Sequence, residues 1–442
     1  MPAGDSPQET VLALLVRFIL SRRVALWLIG MLLGASALGY IIPRDGTPRY
    51  ERLAAENPSA AALLARLGLD DIFGSPLFGM LLVLVLIAAM AAMIHQARIV
   101  WRRTFRKTVP RTESVFATHR AFEDAVVAVR KRGFISSGVV QEQRRYISQP
   151  WGLWGGFLLH VGLVVAIMAG MVVIGTERRA VVDLAVGEIL ERQGMWLYEE
   201  GGRLSAPLVL DDSLLIESVE PSFWPSDEVR QVTSVLRFLD EPVSGPVTVE
   251  VNRPVRRSGV TYYQDQTFGY TFLLEVTRDG VLDRLRADIP WPVDRNTPSY
   301  ENITLGENDQ LQLRCYADED RASMLATPVI AARYASSDDT SEPATLTTGA
   351  PVEVGPLAVT LVDTLRWSRI IMVRNHGVGV LFAGFFMIFA GSALIYMTAP
   401  REIYIAETSE GSRVTWRAFR FRESVIGEFD ALKDELNGSD AT

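Results

Sequence analysis

Four histidines and one cysteine are the residues of this 442-residue chain scarce enough for each position to carry information. His160 lies inside an apolar stretch, Gly155-Gly156-Phe157-Leu158-Leu159-His160-Val161-Gly162. Read as a helix from Trp151, that stretch carries His160 roughly 13 Å along its axis at ~1.5 Å per residue. An ionisable side chain that deep in a membrane helix is costly, which marks it as a functional position. Neutral imidazole is a natural axial ligand for haem iron. The competing reading is a structural histidine that hydrogen-bonds a carbonyl of a neighbouring helix. His95 ends another apolar stretch and is followed by Gln96, Arg98, Arg102 and Arg103. A polar side chain there reaches the head groups, so the simpler reading is interfacial. His376, in Arg374-Asn375-His376-Gly377, stands at the mouth of a further apolar stretch. It is either a ligand or a neighbour of a helix start capped by Asn375. His119 reads as solvated.

Cys315 sits in Leu311-Gln312-Leu313-Arg314-Cys315-Tyr316, which alternates like a strand and predicts a buried structural thiol. One cysteine forms no internal disulfide and no C-x-x-C motif, which excludes thiol exchange and covalent haem attachment to this chain. No phosphate-cradling glycine loop, nucleophile elbow or zinc-spaced cluster is present. Carboxylates are plentiful but scattered, and none forms a catalytic pair by spacing. The net charge of −8 and the lack of aromatic–basic interleaving argue against nucleic acid.

The elements that would position these residues are four apolar spans, Val24–Pro43, Leu77–Ala97, Trp151–Gly175 and Gly377–Met397. Each has about the twenty residues that a ~30 Å hydrocarbon layer demands. The expected fold class is a membrane protein: four transmembrane α-helices plus a large β-rich extracytoplasmic domain inserted between helices 3 and 4. Residues 98–150 carry twelve Lys/Arg against four acids, so this segment and both termini are expected in the cytoplasm. Residues 176–375 carry nineteen arginines, no lysine and thirty-two acids, a net −13, and are expected outside. Strand-like pieces there are Val229–Leu239, Val247–Val251, Val260–Gln264, Tyr270–Val276 and Leu357–Leu365, separated by Pro, Gly, Asp and Asn. A polar stretch at 334–350 reads as a mobile loop.

The expected divisions are an N-terminus at 1–23 with an interfacial helix over Thr10–Leu20, helices 1 and 2 with a short external loop at 24–97, and a basic loop at 98–150. Helix 3 follows at 151–175, the β-rich domain at 176–375, helix 4 at 376–398 and a tail at 399–442. The first span lacks a small-x-small cleavage site and reads as retained. Within the 98–150 segment, Arg120–Arg132 has helical apolar spacing and a short strand runs through Tyr146-Ile147. Trp151-Gly152-Leu153-Trp154 reads as an interfacial aromatic anchor.

The order of these elements resembles the ResB (Ccs1/CcsB) family of system II cytochrome c biogenesis. The stretch that carries the resemblance most specifically is Val251-Asn252-Arg253-Pro254-Val255-Arg256-Arg257-Ser258-Gly259-Val260-Thr261-Tyr262-Tyr263-Gln264. Gly39–Pro43, Leu67–Phe78 and Ala399-Pro400-Arg401 support it, and His160 falls where the family carries an intramembrane histidine. The resemblance implies a haem-handling subunit that exports haem b and presents it to apocytochrome c beside a ResC/CcsA-type membrane partner. His160 would be the transient iron ligand, with His376 and His95 as further cofactor-binding candidates. The chain would be a non-catalytic or co-catalytic subunit of the synthase, in the cytoplasmic (inner) membrane. Where the family commonly has Asp-Pro-Gly before the fourth span, Asn375-His376-Gly377 stands here, and Ile94-His95 replaces a frequent cysteine. His95 and His376 are then added ligands or marks of a divergent member. Two other readings stay open: a membrane scaffold for a periplasmic complex, and a haem-based transmembrane electron-transfer subunit.

Overall fold

The computed structural model describes residues 21–438 except 46, 106–108, 110–113, 241–244, 307–308, 325–326 and 337–339. The expected interfacial helix over Thr10–Leu20 lies outside the described residues. The chain divides into two compact units, one of residues 1–173 with 377–442 and one of residues 174–376.

Among the described residues, four helices are long and apolar enough to cross a membrane. They are Arg22–Ile41, Pro76–Thr104, Gly155–Thr176 preceded by a 3-10 turn at Pro150–Trp154, and Val378–Met397. Local chemistry sets their starts. Ser75 accepts from the Phe78 amide, with Pro76 at the first helical position, where its missing N–H costs nothing. The fourth helix starts from Gly377 at φ 92°, without a side-chain cap, so Asn375 does not cap it. Between the first two spans, the short helices Pro48–Glu56 and Pro58–Leu67 are capped by Thr47 and Asn57. Gly39 admits the ring of Phe73, to which a Cβ would approach within 2.7 Å. Leu26, Trp27, Phe385, Phe386 and Phe389 are exposed, as lipid-facing side chains would be.

The third and fourth helices pack through glycine. A Cβ on Gly162 would meet the Ile388 amide nitrogen at 2.6 Å and the Gly384 carbonyl at 2.7 Å. One on Gly391 would meet the Leu159 nitrogen at 2.5 Å. Such backbone-to-backbone approach is how helices associate in lipid, where apolar burial against tails contributes little.

The segments read from sequence as a basic loop and a tail fold together. Strands Ser114–Thr118, Gly411–Ala418, Arg401–Thr408, Gln143–Ser148 and Ile135–Val140 form, in that spatial order, one antiparallel sheet. Helices Phe122–Lys131 and Arg422–Asn437 close its core with Val126, Val129, Phe429 and Leu432 against Tyr146, Ile403, Ile405 and Trp416. The expected helix and short strand were parts of this module. Its other half lies some 250 residues away in sequence, so no local pattern announced the sheet.

Among its described residues the second unit is antiparallel β-structure: one seven-stranded sheet and two of four strands around a single core. Strands Val260–Arg278 and Leu357–Arg374 pair along most of their length. By composition the first of these would break at residues 265–269. The structure carries the strand through, with a register shift between Gln264 and Phe268 where Asp265 accepts from the Thr267 amide at 2.8 Å. Within 334–350, the described residues include a short strand, Ala344–Thr345.

Candidate functional site

His160 stands one turn and a half into the third helix. Its Nδ1 lies 2.7 Å from the carbonyl oxygen of Gly156, four residues earlier. A carbonyl only accepts, so Nδ1 carries the hydrogen and donates, and in the neutral ring Nε2 keeps the lone pair. Nε2 has no hydrogen-bond partner among the described residues. The structural alternative, a bond to a neighbouring helix, is therefore replaced by one within the same helix. A ring N–H held by a backbone carbonyl fixes tautomer and orientation, as in metal-ligating histidines. The residues present fit a single axial ligand. Among the described residues no group of three or more His, Cys, Asp or Glu gathers for a metal ion.

Gly156 also brings the second helix close. A Cβ there would sit 3.3 Å from Oε1 of Gln96. His95, the next residue along that helix, is exposed; consecutive helical residues point about 100° apart. His95 and His160 thus share one end of the bundle, but His95 does not line the contact made by Gln96. His376 belongs to the other end. Gly377, which follows it, lies beside the Ala169 carbonyl and Val172. Nine residues separate Ala169 from His160, roughly 14 Å along a helix axis. The three histidines are not one cluster.

Two arginines absent from the sequence reading secure the bundle at the His160 end. Arg145 donates to the carbonyls of Thr104 at 2.7 Å and Arg103 at 2.6 Å, which end the second helix. It also pairs with Glu402; the two side chains are 2 % and 0 % exposed. Arg420 donates to the carbonyl of Ile395 at 2.8 Å, in the last turn of the fourth helix, and to that of Gly152. Both cations meet helix C-termini, where orphan carbonyls and the negative end of the helix dipole favour them. A sequence pattern in which Arg145 follows Arg144 and precedes Tyr146 carried no signal of this burial. In the β-rich unit, Cys315 is buried and its thiol is pushed up to about 12 by burial, which makes it inert at neutral pH.

The ResB-like family model matches residues 22–293, more than half of the chain. The chain belongs to the ResB-like family. It is 22% identical over 443 residues to the cytochrome c biogenesis protein CCS1, chloroplastic, of Arabidopsis thaliana, an alignment covering 90% of this chain and 74% of that one. It is also 22% identical over 432 residues to the cytochrome c biogenesis protein CcsB of a Synechococcus strain, covering 90% and 92%. The matched region takes in His95, His160 and the Val251–Gln264 stretch, and leaves His376 outside.

Proposed function

We propose that this protein is a haem-handling membrane subunit of cytochrome c biogenesis, with His160 as an axial ligand for haem b in transit. The observation that carries the reading is the His160 tautomer: Nδ1 donates to Gly156 and leaves the Nε2 lone pair without a partner among the described residues, inside an apolar helix. Family membership and the two relatives' names support the process. Haem supplies an iron whose axial position accepts a neutral imidazole.

The chain's own residues do the rest. The Gly156 carbonyl orients the ring and fixes its tautomer, so that Nε2 presents its lone pair. The Arg145 and Arg420 anchors hold the helix ends around that turn. Because this chain offers one deep histidine, a second ligand comes from elsewhere, which favours a ResC/CcsA-type partner. His95, on an exposed helix face, is available only to a group outside the contact between the second and third helices. His376 is the candidate at the opposite end. Charge asymmetry supports a cytoplasmic module and an extracytoplasmic β-rich unit that would face apocytochrome c.

The test is purification of the full chain with its partner, followed by haem spectra of wild type, His160→Ala, His95→Ala and His376→Ala. The expected outcome is a loss of most bound haem and of cytochrome c maturation in His160→Ala. Unchanged haem content in that variant would sink the ligand assignment.

A further inference from the structure

The chain enters and leaves the β-rich unit on paired strands, with Arg178 directly opposite Arg374. Val260 pairs with Arg374 on its other side and with Arg257 across a hairpin. The hairpin turns at Ser258-Gly259, whose φ values of 47° and 77° are those a two-residue turn of positive φ requires. This hairpin is the centre of the stretch that most resembles the ResB family, and the haem-ligand reading gives it no task. A cavity of about 520 Å³ opens here, lined by Arg178, Arg256 and Arg374, by His376, and by one carboxylate, Asp211.

The unit has thirty-two acids to nineteen arginines, and among the described residues more than half of those arginines pair with a carboxylate. Arg178 pairs with Glu199 at 2.7 Å, Arg257 with Asp212 at 2.9 Å and Arg369 with Asp183 at 2.8 Å. Among the described residues, Arg256 has no ion-pair partner and the Arg374 guanidinium donates only to the Val209 carbonyl, at 2.6 Å. Two guanidiniums converging without a carboxylate of their own are suited to a bound anion, which their planar donors match in geometry. Leu204, 80% exposed, adds an apolar wall. Thr176, the last residue of the third helix, lines the same cavity, so the site lies where the chain leaves an apolar span.

We propose that this cavity binds the anionic head of an amphiphile, a carboxylate or phosphate borne on an apolar body, through Arg256 and Arg374. Both a porphyrin with its carboxylates and an anionic phospholipid have this chemistry. The site extends the haem-handling reading if the amphiphile is a porphyrin, yet it stands on the cavity and not on His160.

The experiment uses the full chain in nanodiscs of zwitterionic lipid and two probes: metal-free protoporphyrin IX, followed by its fluorescence anisotropy, and phosphatidylglycerol, followed by native mass spectrometry. Saturable binding of either probe that weakens at least tenfold in the Arg256→Gln, Arg374→Gln double variant supports the site and identifies the source. If the porphyrin is the ligand, its dimethyl ester, with the carboxylates blocked, binds at least tenfold more weakly. Equal binding of both probes to wild type and double variant overturns the proposal, as does failure of both to bind wild type. Arg256→Gln alone, at an exposed and unpaired side chain, keeps the wild-type unfolding temperature and loses several-fold in binding. The metal-free probe needs no iron ligand, so His160→Ala leaves its binding unchanged, and failure of one reading is told apart from failure of the other.

Discussion

Arg145 donates to the carbonyl of Thr104 at 2.7 Å while pairing with Glu402, so one buried cation joins the end of the second membrane helix to the strand that follows the fourth. Glu402 in turn accepts from the Tyr404 hydroxyl at 3.1 Å. Removing the carboxylate leaves a charge without its counter-ion in the interior, at a cost of about 3–5 kcal/mol. Glu402→Ala is therefore expected to lower the thermal midpoint in detergent strongly and to reduce the folded yield. The exposed pair Arg144–Glu123, at 3.7 Å, is the control. Glu123→Ala should change stability by less than about 0.5 kcal/mol. A wild-type midpoint for Glu402→Ala would show that the pair does not join these elements.

The glycine seam makes a sharper steric prediction. In Gly391→Ala the new methyl would lie 2.5 Å from the Leu159 nitrogen and 2.8 Å from the Gly155 carbonyl, both backbone atoms that cannot rotate away. Overpacking of this kind costs roughly 1–3 kcal/mol. Gly379→Ala, on the same helix with open space around its Cβ, gains helix propensity of up to ~1 kcal/mol instead. Thermal unfolding should move in opposite directions for the two alanines. Equal shifts would mean that the third and fourth helices do not approach this closely.

Membrane spans were legible because twenty consecutive apolar residues leave few alternatives, and strands of the β-rich unit were legible through alternation and turn residues. What escaped was set by distant partners. Nothing near Arg145 shows that Glu402 will pair with it, and nothing in 401–418 shows that its two strands complete a sheet begun at Ser114. Residues 265–269 looked like a break because Asp265, Gln266 and Gly269 are poor strand formers in isolation; the paired strand overrides that preference. His160 stood out by depth alone, whereas its tautomer needed the Gly156 carbonyl. The convergence of Arg178, Arg256 and Arg374 required strand register, which places residues almost two hundred positions apart side by side.

Sidedness is testable without disturbing the fold. Buried Cys315 leaves a silent background for thiol labelling. Ser226 in the β-rich unit and Ser136 in the basic module are both exposed. With a membrane-impermeant maleimide on intact cells, Ser226→Cys should react and Ser136→Cys should react only after lysis. The reverse pattern would invert the proposed topology.

Alkaline pH should unsettle the β-rich unit through two buried acids. Burial pushes the Cys315 thiol from its ordinary 9.0 up to about 12. Burial also raises the Tyr262 hydroxyl from 10.0 to about 12, with Asp212 adding to the effect. Both groups are neutral in the folded state well above the pH at which they ionise when unfolded. The unfolded chain therefore releases protons first, and stability falls as pH rises. Their contribution is fully present below pH 9, begins to fall as the unfolded thiol ionises, and steepens above 10 when the tyrosine joins. The slope approaches about 1.4 kcal/mol per pH unit for each group until the folded state itself ionises near 12. Thermal unfolding of the full chain between pH 8 and 11 should show this decline, and Cys315→Ala should remove the part that starts near 9. A Cys315→Ala curve parallel to wild type across that range would show that the thiol is not held protonated by the fold.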